Sequence, residues 1–88
     1  MVTKGERVQS KNILGRTVVS KAGKKFGEVG DLIFEAKTGE LIYIVLKNPT
    51  PYAGSFDLER DERGNIKIPF SSVVAVGDYV VVAEEDIL

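Results

Sequence analysis

The amino-acid sequence predicts an all-β protein, a small closed or nearly closed barrel of six to seven short strands. Runs rich in valine and isoleucine alternate with short polar turns, and little of the chain has the spacing of an amphipathic helix. The most informative run is Ile68–Val82. Its two valine-rich parts meet at Gly77-Asp78, which is typical of a tight turn between paired strands, and a Pro-Phe-Ser-Ser corner precedes them.

The first third of the chain predicts one helical turn and two strands. Ser10–Gly15 has a capping serine at its start and a glycine at its end. A strand is expected at 16–20, followed by a glycine-containing turn and a longer strand from Phe26 to Glu35. Gly27 and Gly30 interrupt this second strand, and isolated glycines in a strand usually mark a bulge or a sharp bend.

The third strand, Leu41–Lys47, follows a hairpin turn and is apolar on both faces. A strand with one face in water would alternate between apolar and polar residues. One face is therefore expected to line the core, and the other to be covered by the chain itself or by a partner. Because 88 residues offer few covering elements, we expect a two-fold symmetric homodimer that buries one face of this strand. Ile42, Ile44 and Leu46 are the expected interface residues.

The second half of the chain predicts a loop and further short strands. Asn48–Ser55 is expected to be a loop, because its two prolines lack the N–H donors that strand pairing needs. The remaining expected elements are a short strand at 56–58, a polar turn at 61–65, a strand at 66–68, the corner at 69–72, a strand at 73–76 and a last strand at 79–83.

The composition excludes several kinds of chemistry. The chain has 88 residues, which is the size of one domain. It has no cysteine and no histidine, so it lacks the thiolate nucleophile, the commonest general base and the commonest zinc ligand. We therefore expect no enzyme activity and no cofactor. Residues 1–7 have no apolar core of signal-peptide length, and no apolar run approaches about 20 residues. We therefore expect a cytoplasmic protein that is not inserted in a membrane.

The charges balance overall but are unevenly placed. The chain has twelve basic and thirteen acidic side chains, and residues 1–30 hold seven of the basic ones beside only two acidic ones. Such asymmetry can mark a surface for an anionic partner. The overall balance argues against binding dominated by phosphate contacts, so no specific nucleic-acid binding is expected. The many charged residues and few amides are also typical of a thermophile.

Four short patterns contain residue types that perform chemistry, and each has a structural interpretation that we prefer. Ser71 and Ser72 have no histidine to activate them, so one or the other is expected to bond backbone groups at the Pro69-Phe70 corner. Residues 57–61 resemble the start of a calcium loop but lack its later glycine and glutamate. Residues 23–30 are rich in glycine and lysine but lack the ending of a phosphate-binding loop. Asp31 stands in an otherwise apolar run, and a general-base role for it has no partner in the sequence.

Three blocks of the sequence together resemble the PRC-barrel family, which is named for the H subunit of photosynthetic reaction centres. The blocks are Leu14–Val29, Asp31–Val45 and Ile68–Asp78. Each block alone is a generic strand-and-turn pattern, and it is their order and spacing that match the family. The resemblance covers residues 11–83, which would form the barrel domain. An N-terminal arm at 1–10 would precede it, and an acidic tail at 84–88 would follow.

The resemblance implies a small barrel that acts as a non-enzymatic protein-interaction module. It also implies that Asp31 bonds the backbone at a bend. The chain resembles the free-standing archaeal type, some of which are linked to cell division through SepF, the membrane-anchoring protein of the FtsZ ring. This resemblance therefore implies an archaeal adaptor whose partner is a SepF-like cell-division protein. The family's domain also occurs in ribosome-maturation factors, so an RNA-processing or ribosome-assembly accessory is the alternative function.

Two segments are candidates for the partner-binding surface. The loop at 48–55 and the residue after it hold stiff or aromatic side chains that no strand requires, and tyrosine is enriched at interface hot spots. These side chains are Pro49, Pro51, Tyr52 and Phe56. The alternative is that Tyr52 only caps an open end of the barrel. The second candidate is the tail, which ends in the apolar residues Ile87 and Leu88.

Overall fold

The computed structural model describes residues 2–3 and 13–87. Within them, seven strands form one sheet. The strands are β1 (Val2–Thr3), β2 (Thr17–Ser20), β3 (Lys25–Phe34), β4 (Leu41–Lys47), β5 (Lys67–Pro69), β6 (Val73–Val76) and β7 (Tyr79–Val82). One helical turn, α1 (Pro51–Gly54), follows β4, and two 3₁₀ turns lie at Phe70–Ser72 and Glu84–Asp86. The predicted all-β class with six to seven strands is confirmed.

The order of strands across the sheet requires it to curl into a barrel. The order is β1-β6-β7-β2-β3-β4-β5, with β2 and β7 parallel and every other neighbouring pair antiparallel. In a flat sheet β5 and β6 would lie about 24 Å apart, at about 4.8 Å per strand. The chain joins them through the 3₁₀ turn Phe70–Ser72, and such a short link spans at most about 14 Å. The sheet therefore closes back towards itself.

Two glycines let β3 bend around the barrel, as the sequence predicts. The pairing register of β3 shifts beside Gly27 on the β2 side and at Gly30 on the β4 side. A side chain on Gly27 would lie 3.1 Å from the carbonyl oxygen of Lys47, and one on Gly30 would lie 2.9 Å from the Cβ atom of Lys47. Because any side chain would collide with β4 at these points, β3 can approach β4 closely only with glycine there.

The core lies inside the curled sheet and receives side chains from six of the strands. Its centre is Phe26, which is fully buried, and around it are alternate residues of the neighbouring strands. The other buried members of this cluster are Ile13, Val18, Val29, Ile44, Leu46, Ala53, Ile66, Ile68, Val73, Val76, Val80 and Val82. Partly buried Leu32, Leu41, Phe70 and Ile87 pack against it.

The structure corrects the predicted dimer face of β4. Ile44 and Leu46 are 0% and 2% exposed within the single chain, because they belong to its own core. Assigning them to an interface between copies was therefore wrong. Ile42 is different, since it is 38% exposed. The β3–β4 register shifts between Ile33–Tyr43 and Phe34–Leu41, which leaves Ile42 without a partner on β3 and turns it away from the core.

The chain itself covers the outer face of β4 at Val45, while Ile42 stays exposed. Val45 points away from the core, opposite Asp31 and Lys67, yet it is only 6% exposed. The polar turn at 61–65 lies beside it, because Asp61, Arg63 and Asn65 line the same depression as Val45. Of the two ways in which this face could be covered, the structure therefore shows cover by the chain.

The free edge of the sheet at β5 is blocked to further strands. The N–H of Lys67 donates to the carbonyl of Glu59 at 2.8 Å, and Pro69 has no N–H to offer. A strand edge with its donors occupied or missing does not template pairing with another chain. This edge is therefore not a site of strand addition.

Several predicted segments differ from the structure. Residues 56–58 are not a strand, and the predicted loop at 48–55 contains α1. Val2–Thr3 pairs with β6, so the predicted arm at 1–10 contributes to the sheet. Of the predicted helical turn at 10–15, residues 10–12 lie outside the described part of the chain. Residues 13–15 form a turn in which Gly15 has a φ of 82° and the N–H of Arg16 donates to Ile13.

Candidate functional site

Helix α1 is short but firmly placed at one end of the barrel. Thr50 is its N-cap, with a hydroxyl that accepts from the N–H of Ala53 at 3.2 Å and donates to the carbonyl of Lys25 at 2.6 Å. Pro51 follows at the first helical position, where its missing N–H has no partner to lose. The N–H of Thr50 also donates to Phe26 at 3.0 Å. These bonds fasten α1 to β3.

Three aromatic rings meet where α1 covers the core. The ring centroids of Phe26 and Tyr52 are 5.4 Å apart, those of Phe26 and Phe56 are 5.4 Å apart, and those of Tyr52 and Phe56 are 5.2 Å apart. Two of the three pairs are edge-on, a favourable arrangement. Tyr52 and Phe56 are half-buried, so both act as a cap on the barrel end. Pro49 and Pro51, the other two predicted partner residues in this segment, are exposed.

The acidic tail lies against the same end of the barrel. The hydroxyl of Tyr52 donates to Oε2 of Glu84 at 2.7 Å. Nζ of Lys21, in the β2–β3 turn, donates to Oε1 of Glu85 at 2.9 Å. Ile87 packs against the core cluster, and Leu88 lies outside the described residues. The structure thus brings together the loop and the tail, which the sequence offered as two separate candidates.

These contacts shift the pKa values of Tyr52, Lys21 and Glu85. The hydrogen bond to Glu84, with partial burial, raises the pKa of Tyr52 above its usual value. The hydrogen bond to Glu85 and its negative charge raise the pKa of Lys21, and the hydrogen bond from Lys21 lowers the pKa of Glu85. Each shift favours the protonation state in which the tail stays bound near neutral pH.

A second candidate surface lies at the end of the β3–β4 hairpin. A shallow groove of about 630 Å³ is lined by Glu40, Leu41, Ile42, Tyr43, Pro69, Phe70 and Ser71. We call it the hairpin groove. Phe34, which pairs with Leu41 in the ladder, lies beside it and is 45% exposed. Phe34 was missed as a surface residue because its position in an apolar strand favours the core. The pattern does not show that a bulge and the approaching turn change the facing at this end.

The polar patterns form ordinary structural bonds. Oδ1 of Asp61 accepts from the N–H groups of Arg63 and Asn65, and these bonds lower its pKa. The hydroxyl of Ser72 donates to Pro69 at 2.7 Å, and Oδ1 of Asp31 accepts from Leu32 at 2.8 Å, so both predicted backbone bonds are confirmed.

Two further features are absent from residues 2–3 and 13–87, the part of the chain that the structure describes. These residues contain no cluster of three or more histidine, cysteine or acidic side chains arranged to hold a metal ion. In the same part of the chain, no helix has the length and hydrophobicity that crossing a bilayer requires.

Comparison with known proteins identifies the fold. Residues 5–86 match the family model of the PRC-barrel domain. The chain is also similar to an uncharacterized protein, MJ1118, of Methanocaldococcus jannaschii. The two are 29% identical over 82 residues, which is 93% of this chain and 88% of the relative. The match begins before the predicted boundary at residue 11 and ends after the one at residue 83.

Proposed function

Because the chain belongs to the PRC-barrel family, we propose that it is a non-enzymatic interaction module that binds another protein through the hairpin groove. The observation that carries the proposal is the exposure of Ile42 and Phe34 beside a groove floored by Leu41 and Phe70. Adjacent exposed apolar side chains on a small protein mark interaction surfaces more often than isolated ones do.

The energetics of the hairpin groove suit a small protein interface. Covering the exposed parts of Ile42 and Phe34 would contribute on the order of 1–2 kcal/mol each. Glu40, at the rim, supplies a charge that can select among partners. The groove is also open to a whole protein surface, whereas an enclosed pocket would suit a small molecule better.

The specific role that we propose is an archaeal adaptor linked to cell division, with a SepF-like protein as its partner. The resemblance to free-standing archaeal PRC-barrel proteins and the archaeal relative support an archaeal setting. A second copy of the chain is a further partner that the groove suits, and homodimer formation through Ile42 is therefore part of the proposal.

The test is affinity purification from the native host with three immobilised proteins, read by quantitative mass spectrometry. They are wild type, Ile42→Asp and the matched control Val74→Asp. Val74 is 40% exposed but lies on β6, outside the groove. The partner found with wild type is then purified and its dissociation constant measured against each variant.

We expect Ile42→Asp to weaken this partner's binding about tenfold or more, because an unpaired carboxylate would enter the interface. Val74→Asp should leave it unchanged. Equal affinity for Ile42→Asp and wild type would place the partner elsewhere on the protein. Recovery of a SepF-like protein would support the division role, and recovery of ribosome-assembly factors alone would replace it with the alternative.

A further inference from the structure

The C-terminal tail is held by a set of contacts that recognises a definite chemical pattern. Tyr52 binds the first carboxylate, Glu84, and Lys21 binds the second, Glu85. Two residues later, Ile87 packs against the core cluster. We call Lys21, Tyr52 and the apolar surface under Ile87 the tail site.

The ion pair and the terminal turn that help to hold the tail are weak individually. The Lys21–Glu85 pair is exposed on both sides, and exposed ion pairs contribute little to stability. The 3₁₀ turn of the tail has two backbone hydrogen bonds, from Asp86 to Ala83 and from Ile87 to Glu84. Such short terminal turns open more easily than core strands do.

By contrast, the tail site itself is built on rigid parts of the barrel. Tyr52 is fixed by its packing on Phe26 and Phe56, and α1 is fastened to β3 through Thr50. Lys21 stands in a short turn whose backbone is tied to β7, since its N–H donates to Val82 at 3.1 Å. A rigid site with a loosely held occupant can exchange that occupant for a similar one at small cost.

We propose that the tail site is a second protein-binding site, which takes a segment of another protein with two adjacent carboxylates and an aliphatic residue two positions further on. The chain's own tail occupies the site in cis and competes with that segment. Neither Lys21 nor Tyr52 lines the hairpin groove, so the inference does not depend on the proposed function.

The chemistry of the tail site favours a peptide over other acidic ligands. A phosphate or a nucleotide would offer charge to Lys21 but nothing aliphatic for the surface under Ile87. Recognition of a carboxylate by the Tyr52 hydroxyl adds geometric selectivity, because the phenol must donate to an acceptor at a fixed place. A peptide backbone can hold two carboxylates and an aliphatic side chain at the spacing that meets all three requirements.

The test uses a labelled peptide with the sequence of residues 83–87, Ala-Glu-Glu-Asp-Ile, and fluorescence anisotropy. Its binding is measured to the full-length wild type and to a full-length tail variant, Glu84→Ala, Glu85→Ala and Ile87→Ser. In the tail variant the cis occupant is weakened while the site is intact. We expect the peptide to bind this variant about tenfold more tightly than wild type. This ratio follows if the tail of the wild type occupies its own site about nine-tenths of the time and so leaves about one-tenth of the sites free.

Substitutions in the site are then added to the tail variant. Tyr52→Phe keeps the ring packing but removes the donor, and Lys21→Glu reverses the charge. Each should weaken peptide binding about threefold or more. Lys24→Glu is the matched control, because Lys24 is exposed in the same turn. Reversing its charge should change the affinity for the peptide only slightly. A peptide with serine in place of isoleucine should also bind more weakly.

Two results would overturn the proposal. One is a folded tail variant that binds the peptide no more tightly than wild type does. The other is an equal loss with Lys24→Glu and Lys21→Glu, which would indicate attraction by charge alone. If the tail variant does not fold, hydrogen exchange of the wild type decides. Fast exchange at Asp86 and Ile87 compared with Val80 supports a displaceable tail, and equally slow exchange means that the tail is an integral part of the core.

Discussion

At the scale of single residues, Gly30 is a position where one carbon atom decides whether two strands can pair. A Cβ there would stand 2.9 Å from the Cβ of Lys47, whereas a Cβ on Gly54 would meet no atom within 4 Å. We expect Gly30→Ala to destabilise the protein by about 1–3 kcal/mol, because β3 and β4 must move apart. Gly54→Ala should be neutral or slightly stabilising, because alanine suits α1 better.

Urea denaturation of the two glycine variants checks this prediction. The free energies of unfolding are compared with that of wild type at one temperature and pH. A Gly30→Ala protein as stable as Gly54→Ala would mean that the two strands are not packed as closely as the structure shows.

Tyr52 gives a prediction about pH. Its raised pKa means that the folded protein favours the neutral phenol. The stability that this provides is complete below the pKa of an unfolded tyrosine, about 10, and is lost as the pH rises through the higher pKa of the folded state. We expect wild type to melt at a higher temperature than Tyr52→Phe near neutral pH, and the difference to shrink above about pH 10.

Thermal melting of both proteins across this pH range measures the effect. The two proteins differ only in the hydroxyl of residue 52, so the comparison isolates that group. A difference in melting temperature that stays constant through the alkaline range would show that the Tyr52 hydroxyl does not form its bond to Glu84.

At the scale of elements, β4 shows what the sequence can and cannot tell. The bounds of β4 were predicted correctly, because a hairpin turn and a proline-containing loop frame it. The need to cover both of its faces was also predicted. The face on which each residue lies was not predicted. The bulge at Ile42 changes the alternation of the side chains, and nothing in an apolar run marks the position of a bulge. The turn at 61–65 was predicted, but its position over β4 was not, because the two segments are distant in sequence.

β4 also offers a pair of neighbouring isoleucines with opposite roles. Ile44→Asp would bury a carboxylate in the core and should cost more than about 4 kcal/mol, enough to unfold much of a protein of this size. Ile42→Asp should remain folded, because Ile42 is exposed. Circular dichroism and urea denaturation distinguish the two. Equal stability of the two variants would contradict the assignment of faces.

The candidate sites were predicted only in part. Tyr52, Phe56 and Ile87 were chosen because no strand needed them, and all three lie at one end of the barrel. That they lie together depends on a contact between residues 52 and 84, which no local pattern records. Pro49 and Pro51 were predicted from stiffness alone, and they remain exposed on either side of Thr50. Their role in partner binding stays a prediction.

At the scale of the whole molecule, assembly is the first open prediction. We expect a dimer at high micromolar concentration, held through the hairpin groove, and a monomer for Ile42→Asp. Light scattering coupled to size exclusion gives both masses. A monomeric wild type would remove the homodimer from the proposal, and a dimeric Ile42→Asp would move the interface away from the groove.

Charge gives the second prediction at this scale. The formal charge of −1 and the ion pairs of Arg16 with Asp78 and of Lys21 with Glu85 predict no specific RNA or DNA binding at physiological salt. Fluorescence anisotropy with labelled single-stranded RNA over a range of salt concentrations measures it. Tight binding that falls steeply as salt rises would indicate several phosphate contacts and would promote the RNA-related alternative.

The parallel pairing of β2 with β7 has a mechanical consequence. Thr17 to Ser20 run beside Tyr79 to Val82 in the same direction. Once β1 and the tail have detached, a force that pulls the two ends of the chain apart loads β2 at its first residue and β7 at its last. The load therefore shears the hydrogen bonds along their whole row, and they must break together. A barrel tethered at both ends would resist tension through this row, with a lifetime set by its unfolding rate and not by its equilibrium stability.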